Sequence, residues 1–395
     1  MLWFGLEEVK CQCPGGMAYF SNLSTRNNRK YIEFGALCLL AIGILWWFGR
    51  KLNWSEVGSA VSHSNPYLLS AATAVISLAY LFRACRWGAL LRPLGPARLS
   101  DLLAATTVGF GAVFLVGRAG EVVRPIVLPM RDPRVRATAS FVTIMVERIY
   151  DMMAVVLLFS INLLWFKPPI KLGNEFERVR LAGVILLLGA ILGVAGLMWF
   201  RKKSGIVVKA LERFFARLHF FPRRLSKLIL STLEQLARAL RVLVDARELA
   251  ETAAWTAIIW CSIGLASLLV IRAFGVPFGV SETIFVLGWS LVGSLVPTPG
   301  GAAGAFHAAT AAGLIFLGVS RETSAAISIV LHVIDFGPAV LFGFFYVIRG
   351  DLNLSRLRSL ASPETVEHAV EDETLVPDDI HDDEKRVESP AAAGS

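Results

Sequence analysis

Three charged side chains, two glycines and a proline interrupt apolar sequence at Gly117-Arg118-Ala119-Gly120-Glu121-Val122-Val123-Arg124-Pro125. Arg118 and Arg124 are suited to hold an anionic phosphate, which a guanidinium grips with two parallel hydrogen bonds. Glu121 would pair with either arginine or take a cationic group. Glycine permits close backbone approach and Pro125 has no amide proton to satisfy, so the stretch suits a break in a helix. A second group, Glu147, Arg148 and Asp151, falls within one helical turn, with the carboxylates at i and i+4 on one face and the arginine beside them. The third is another break, Pro297-Thr298-Pro299-Gly300-Gly301, which is expected to start a helix near Gly304. Exposed N–H groups at such a start favour an anion. His307 falls in that first turn, while His332 and Asp335 lie further on. The plain reading of each histidine is a satisfied structural group; together with Asp335 they are candidates for headgroup contact or proton coupling.

Composition decides the solvent these groups meet. Of 395 residues, 55% are hydrophobic and 18% charged, and the mean hydropathy is +0.60. A chain that apolar is expected to be all-α and polytopic in a membrane. Its formal charge of +8 hides an asymmetry, because residues 361–395 carry 11 acidic and 2 basic side chains. Basic residues close to apolar runs mark cytoplasmic loops and attract anionic headgroups, so nucleic acid is not the implied partner. Five cysteines give no disulfide framework, and the lone Cys11-x-Cys13 pair has no second pair to complete a metal site. No nucleophile or nucleotide-binding motif occurs, so no catalytic residue, cofactor or enzymatic activity is expected.

Apolar runs near 32–48, 67–91, 138–166, 181–200, 252–274 and 323–348 read as six full spans. The second ends with Arg83, Arg86, Trp87 and Arg92, where basic side chains can snorkel to headgroups. Runs of 102–116 and 126–130 flank the first break, and 284–296 and 305–317 the second. A span needs ~20 apolar residues, so these shorter runs predict two re-entrant hairpins. The halves 32–166 and 181–348 then share one layout, two spans, a hairpin and a span, facing opposite ways as an inverted repeat. Residues 1–31 form a cytoplasmic start, and 32–350 the membrane domain. Residues 201–250, with 12 Lys and Arg, form a basic amphipathic pair on the cytoplasmic surface or a protein-docking hairpin, and 351–395 form a disordered acidic tail. Both termini are then cytoplasmic. A charge at the centre of a span costs ~2.5–3.5 kcal/mol, so Glu147, Arg148 and Asp151 must either face a polar interior or slide to the interface.

Arg83-Ala-Cys-Arg86-Trp87, Gly117-Arg118-Ala119-Gly120-Glu121 with Arg124-Pro125, Glu147-Arg148 with Asp151, and Pro297-Thr298-Pro299-Gly300-Gly301 occur in that order. In this the chain resembles the lysylphosphatidylglycerol synthase transmembrane region, the flippase-domain family. The resemblance covers about residues 30 to 350 and implies a lipid translocase whose re-entrant segments meet at mid-membrane. Its members often have a glutamate shortly after the Pro-Gly-Gly, where this chain has Ala302-Ala303-Gly304-Ala305-Phe306-His307, and an arginine near His332. The family's fused aminoacyltransferase domain has no counterpart here. The expected function is handling of an anionic phospholipid or lipid-linked headgroup in a bacterial inner membrane, with room for a homo-oligomer. A membrane scaffold docking a partner on 201–250, and a small-solute transporter of the same architecture, are the alternatives.

Overall fold

The computed structural model describes residues 35–167 apart from 93, parts of 181–199 with Arg213, and residues 246–349. The expected start at 1–31, the tail 351–395, most of the span 181–200 and the amphipathic pair before 246 lie outside the described residues. Those described contain helices and no strand. They are α1 (Gly35–Gly49), α2 (Trp54–Ser62), α3 (Pro66–Leu91), α4 (Leu99–Val116), α5 (Val123–Arg131), α6 (Ala137–Trp165), α7 (Ala246–Ala273), α8 (Val280–Gly293), α9 (Ala305–Phe316) and α10 (Arg321–Ile348). Four of them, α3, α4, α7 and α10, are long and apolar enough to cross a membrane, and the pair α1 and α2, bent by 86°, makes a fifth if taken as one span. The 29 residues of α6 cover ~44 Å, but the helix carries Glu147, Arg148 and Asp151 near its middle.

Helix ends follow local chemistry. The Asn65 side chain accepts from the Tyr67 and Leu68 amides, and Pro66 fills the first helical position of α3. Asn65 N–H also donates to the Ala273 carbonyl at 2.8 Å, which ties the start of α3 to the end of α7. At the opposite end of this antiparallel pair, both outer nitrogens of Arg92 donate to Glu251, each at 3.1 Å. The pair is pinned at both ends.

The first break makes a hairpin. After α4 the chain turns through a 3-10 segment, Gly117–Val122, and α5 returns along α4. Arg131 Nε donates to Asp101 at 3.0 Å, so the hairpin starts and finishes at one end of the molecule. α4 is longer than its apolar run because Leu99, Ser100 and Asp101 add a turn at that end. It packs antiparallel to α10, with the Gly343 site close against the Thr107 carbonyl and Gly111 facing Ala339. The tip residue Phe114 lies 5.8 Å from His332 and 5.6 Å from Phe336, ring to ring. Those residues sit near the middle of the 28-residue α10. The hairpin therefore reaches half-way along α10 from the Arg131 end.

The second break makes the opposing hairpin. α8 and α9 run antiparallel, with Gly293 against Ala305 and Phe306, Thr310 donating to Ser290 at 2.9 Å, and the Phe285 and Phe316 rings 5.5 Å apart. Its open end joins α6 at the Asn65 end of the molecule: Asn162 Nδ2 donates to the Ser281 carbonyl at 3.0 Å, and Phe166 stacks on Phe285 at 4.6 Å. Between α8 and α9, Pro299–Ala302 forms a turn in which Gly300, Gly301 and Ala302 all have positive φ, at 75°, 63° and 66°. This tip also lies at His332 and Phe336, so the two hairpins meet from opposite ends at mid-α10.

Candidate functional site

Four helices bring a buried ion network together beside the first hairpin. Arg86 of α3 donates from Nη1 and Nη2 to the two carboxylate oxygens of Asp151 on α6, at 2.6 and 3.2 Å. Its Nη1 also reaches Thr256 of α7 at 3.1 Å. Arg124 of α5 donates to Glu147 Oε2 at 2.7 Å. The remaining Glu147 oxygen, Oε1, stands 3.6 Å from Arg86 Nε, close enough for an ion pair but without a hydrogen bond. Glu147 and Arg86 are fully buried.

Apolar and neutral groups hold this network in place. The Arg124 guanidinium lies 4.4 Å from the Trp87 ring centre and 5.7 Å from Phe110, a cation–π arrangement. Trp87 in turn donates its indole N–H to Thr143 at 3.0 Å. Gly109 leaves the volume that the Arg124 stem occupies; any Cβ there would collide with it. Two guanidiniums and two carboxylates balance in charge, which lets four ionised groups sit away from water.

Further positive charge surrounds the network. Arg83 lies one turn before Arg86, its guanidinium 4.9 Å from the Phe110 ring, with no hydrogen bond or ion pair among the described residues. Arg148 turns outward, 35% exposed, and approaches Asp151 at only 3.9 Å. Asp335 of α10 faces α3, where Arg83 is the charge acting on it and the Tyr80 hydroxyl donates to its carbonyl at 2.7 Å.

The sequence candidates thus divide. Arg124, Glu147 and Asp151 join one network with Arg148 at its edge, and Asp335 looks toward it through Arg83. Glu121 lies half-buried on the 3-10 turn with no ion pair among the described residues. Arg118 belongs to the same turn, and its side chain lies outside the described residues. Pro297 is exposed, whereas Thr298 is fully buried. Pro299, Gly300 and Gly301 shape the second tip. A Cβ on Gly117, whose φ is 72°, would come within 3.0 Å of the Thr298 carbonyl oxygen, so backbone meets backbone where the tips touch. His307 and His332 are both buried at this seam, 3.2 Å apart between His307 Nε2 and His332 Nδ1.

Arg86 and Arg83 were missing from the candidate set. As a basic cluster near the end of a span they read as snorkelling side chains, and Arg86 instead points wholly inward. The signal that finds Arg86 is neutrality: Glu147 and Asp151 in one span call for two buried cations, and an arginine inside a neighbouring apolar run can supply one.

Long apolar helices, hairpins broken at mid-helix and a buried charge network define a multi-pass integral membrane protein of helical class. The family described as "Lysylphosphatidylglycerol synthase TM region" matches residues 36–343, and the chain belongs to that family. No curated protein and no solved structure matches the chain.

Proposed function

We propose that the protein is a lipid translocase that carries an anionic phospholipid or lipid-linked headgroup across the membrane, acting as a transporter and not as an enzyme. The observation that carries this reading is the meeting of two opposed hairpin tips at mid-α10 beside surplus arginine. Read as re-entrant segments of an inverted repeat, the hairpins would leave only their tips between the two halves of the membrane. Arg83 and Arg148, not consumed by the neutral network, would meet the phosphate, joined by Arg118 at the first tip. The network of Arg86, Arg124, Glu147 and Asp151 would keep its shape while the ligand passes.

Orientation follows from charge. Arg92, Arg98, Arg131, Arg134, Arg136 and Arg349 gather at the Arg131 end, where α7, which follows the basic stretch 201–250 in sequence, begins. By the positive-inside rule that end is cytoplasmic, which puts both termini inside, as in a bacterial inner membrane.

The test is leaflet exchange of a fluorescent anionic phospholipid in vesicles holding the purified protein, wild type beside Arg83→Gln. Wild type should exchange label well above protein-free vesicles. Arg83→Gln should lose about tenfold or more, as removal of a charge-assisted bond of ~1.5–3 kcal/mol implies. Folded wild type that exchanges no faster than empty vesicles would overturn the reading and favour a scaffold or a small-solute transporter.

A further inference from the structure

The seam between the second hairpin and α10 is closed by a wired pair of histidines. The Gly304 backbone N–H, which can only donate, points at His307 Nδ1 at 3.2 Å and caps the start of α9. His307 Nδ1 must therefore accept, which leaves the proton of the neutral ring on Nε2. That N–H then donates to His332 Nδ1 at 3.2 Å, so His332 also carries its proton on Nε2. The outer His332 Nε2–H lies against the Gly301 backbone and completes no hydrogen bond of good geometry, although the residue is only 5% exposed. One fixed backbone donor sets every proton in the row.

Such a row has no place for another proton. A proton added to His332 Nδ1 makes it a donor facing a donor, unless His307 moves its own proton to Nδ1 and abandons Gly304. A proton added to His307 Nδ1 breaks the cap at once. Either way one bond of the row is lost: the Gly304 cap on α9's start, or the His307–His332 bond that joins α9 to α10.

The surroundings give the extra charge no counter-ion. Against the pair lie Phe114 from α4, Gly301 from the tip, Phe306 from α9 and Phe336 from α10. On the far side, His307 lines an open pocket of about 420 Å³ together with apolar side chains that include Ile42, Trp46 and Trp54. Arg83 on α3 and Asp335 on α10 are charged groups of the helices nearby, and no described carboxylate, lysine or arginine forms a hydrogen bond or ion pair with either ring. Phe306, stacked on His332 at 4.9 Å, offers a cation partial compensation.

We propose that His307 and His332 form a proton-binding site at the seam of the second hairpin and α10, so that uptake of one proton breaks either the cap on α9 or the bond to α10 and loosens the tip where the two hairpins meet. This holds whether or not the cargo is a lipid, since it concerns only how the seam opens. Acid opens the latch and neutral pH closes it.

Spin labels on Ala303→Cys and Val333→Cys, in the full chain with its five native cysteines replaced, report the gap between tip and α10. Lowering the pH from about 8 to about 4, through and below the ordinary histidine range, should add a population several ångströms longer. The double variant His307→Gln/His332→Gln, whose amides can repeat the accept-and-donate pattern but cannot titrate, should hold the short distance at both pH values. A wild-type distance that does not change, or a double variant that changes as much as wild type, would overturn the proposal. Should the variant misfold, nitrogen-15 histidine spectra of the wild type decide instead: both rings neutral with the proton on Nε2 at high pH support the latch, and a proton on Nδ1 of either ring at that pH refutes it.

Discussion

Glu147 sits between two guanidiniums, and its burial makes its loss worse than a missing bond. Glu147→Ala would leave Arg86 and Arg124 with one carboxylate between them in a region without water, an uncompensated buried charge that costs ~3–5 kcal/mol. Thermal unfolding of the purified variant should show that loss. Replacing both partners of the closer pair, as in Arg124→Met/Glu147→Met, removes one charge of each sign and should recover most of the stability. Recovery would identify this half of the network as scaffolding; a double variant as unstable as the single one would contradict it. The sequence left two readings of Glu147 and Asp151, a polar interior or a slide to the interface, and the structure buries both on arginine partners. Arg86 was not legible as one of those partners, because its inward direction depends on how α3 is rotated against α6 and α7, which periodicity in so apolar a helix does not reveal.

Among the elements, the two breaks were the most legible part, because Gly and Pro interrupt the apolar sequence at 117–125 and 297–301. The extra turn of α4 was hidden, since polar Ser100 and Asp101 do not look like helix until Arg131 returns to pair with Asp101. The exit of this hairpin is fixed by the next loop. Arg134 donates to Asp132 from Nε at 2.8 Å, from Nη2 at 2.7 Å and from its backbone N–H at 3.2 Å. Arg134 thereby holds the Asp132 carboxyl below the usual carboxylate range. A carboxyl lowered in the folded state adds stability above its unfolded pKa of ~3.9 and loses it as pH falls through the lower folded value. Unfolding compared between wild type and Asp132→Asn should therefore show a small, constant advantage for wild type from about pH 5 upward, closing below about pH 4. An advantage that fades between pH 5 and 8 would assign the effect to another group.

At the scale of the whole molecule, the arrangement makes a claim about sides. Single cysteines at Ser100 and Arg134 flank the first hairpin, and at Pro277 and Ser320 the second. In a cysteine-free chain, a membrane-impermeant thiol reagent should reach Ser100→Cys and Arg134→Cys from one face and Pro277→Cys and Ser320→Cys from the other. Labelling of the first two from opposite faces would mean that the chain from α4 to α5 runs all the way across. The composition foretold the membrane, but nothing in it foretold that backbone would touch backbone at Gly117 and Thr298.

That contact has a mechanical side. α3 and α7 are fastened to each other at both ends, through Asn65 with Ala273 and Arg92 with Glu251, and behave as a door frame. Each hairpin is hung from one end of the frame only, one by the Arg131 end and the other by the Asn65 end, and its free edge is the tip. Two leaves hung on opposite jambs can part at their edges while every hinge stays fastened, so on the proposed transport reading a passage would widen by breaking tip contacts alone. On that reading the His307–His332 bond would matter more to the timing of opening than any of the far larger surfaces that hold the frame.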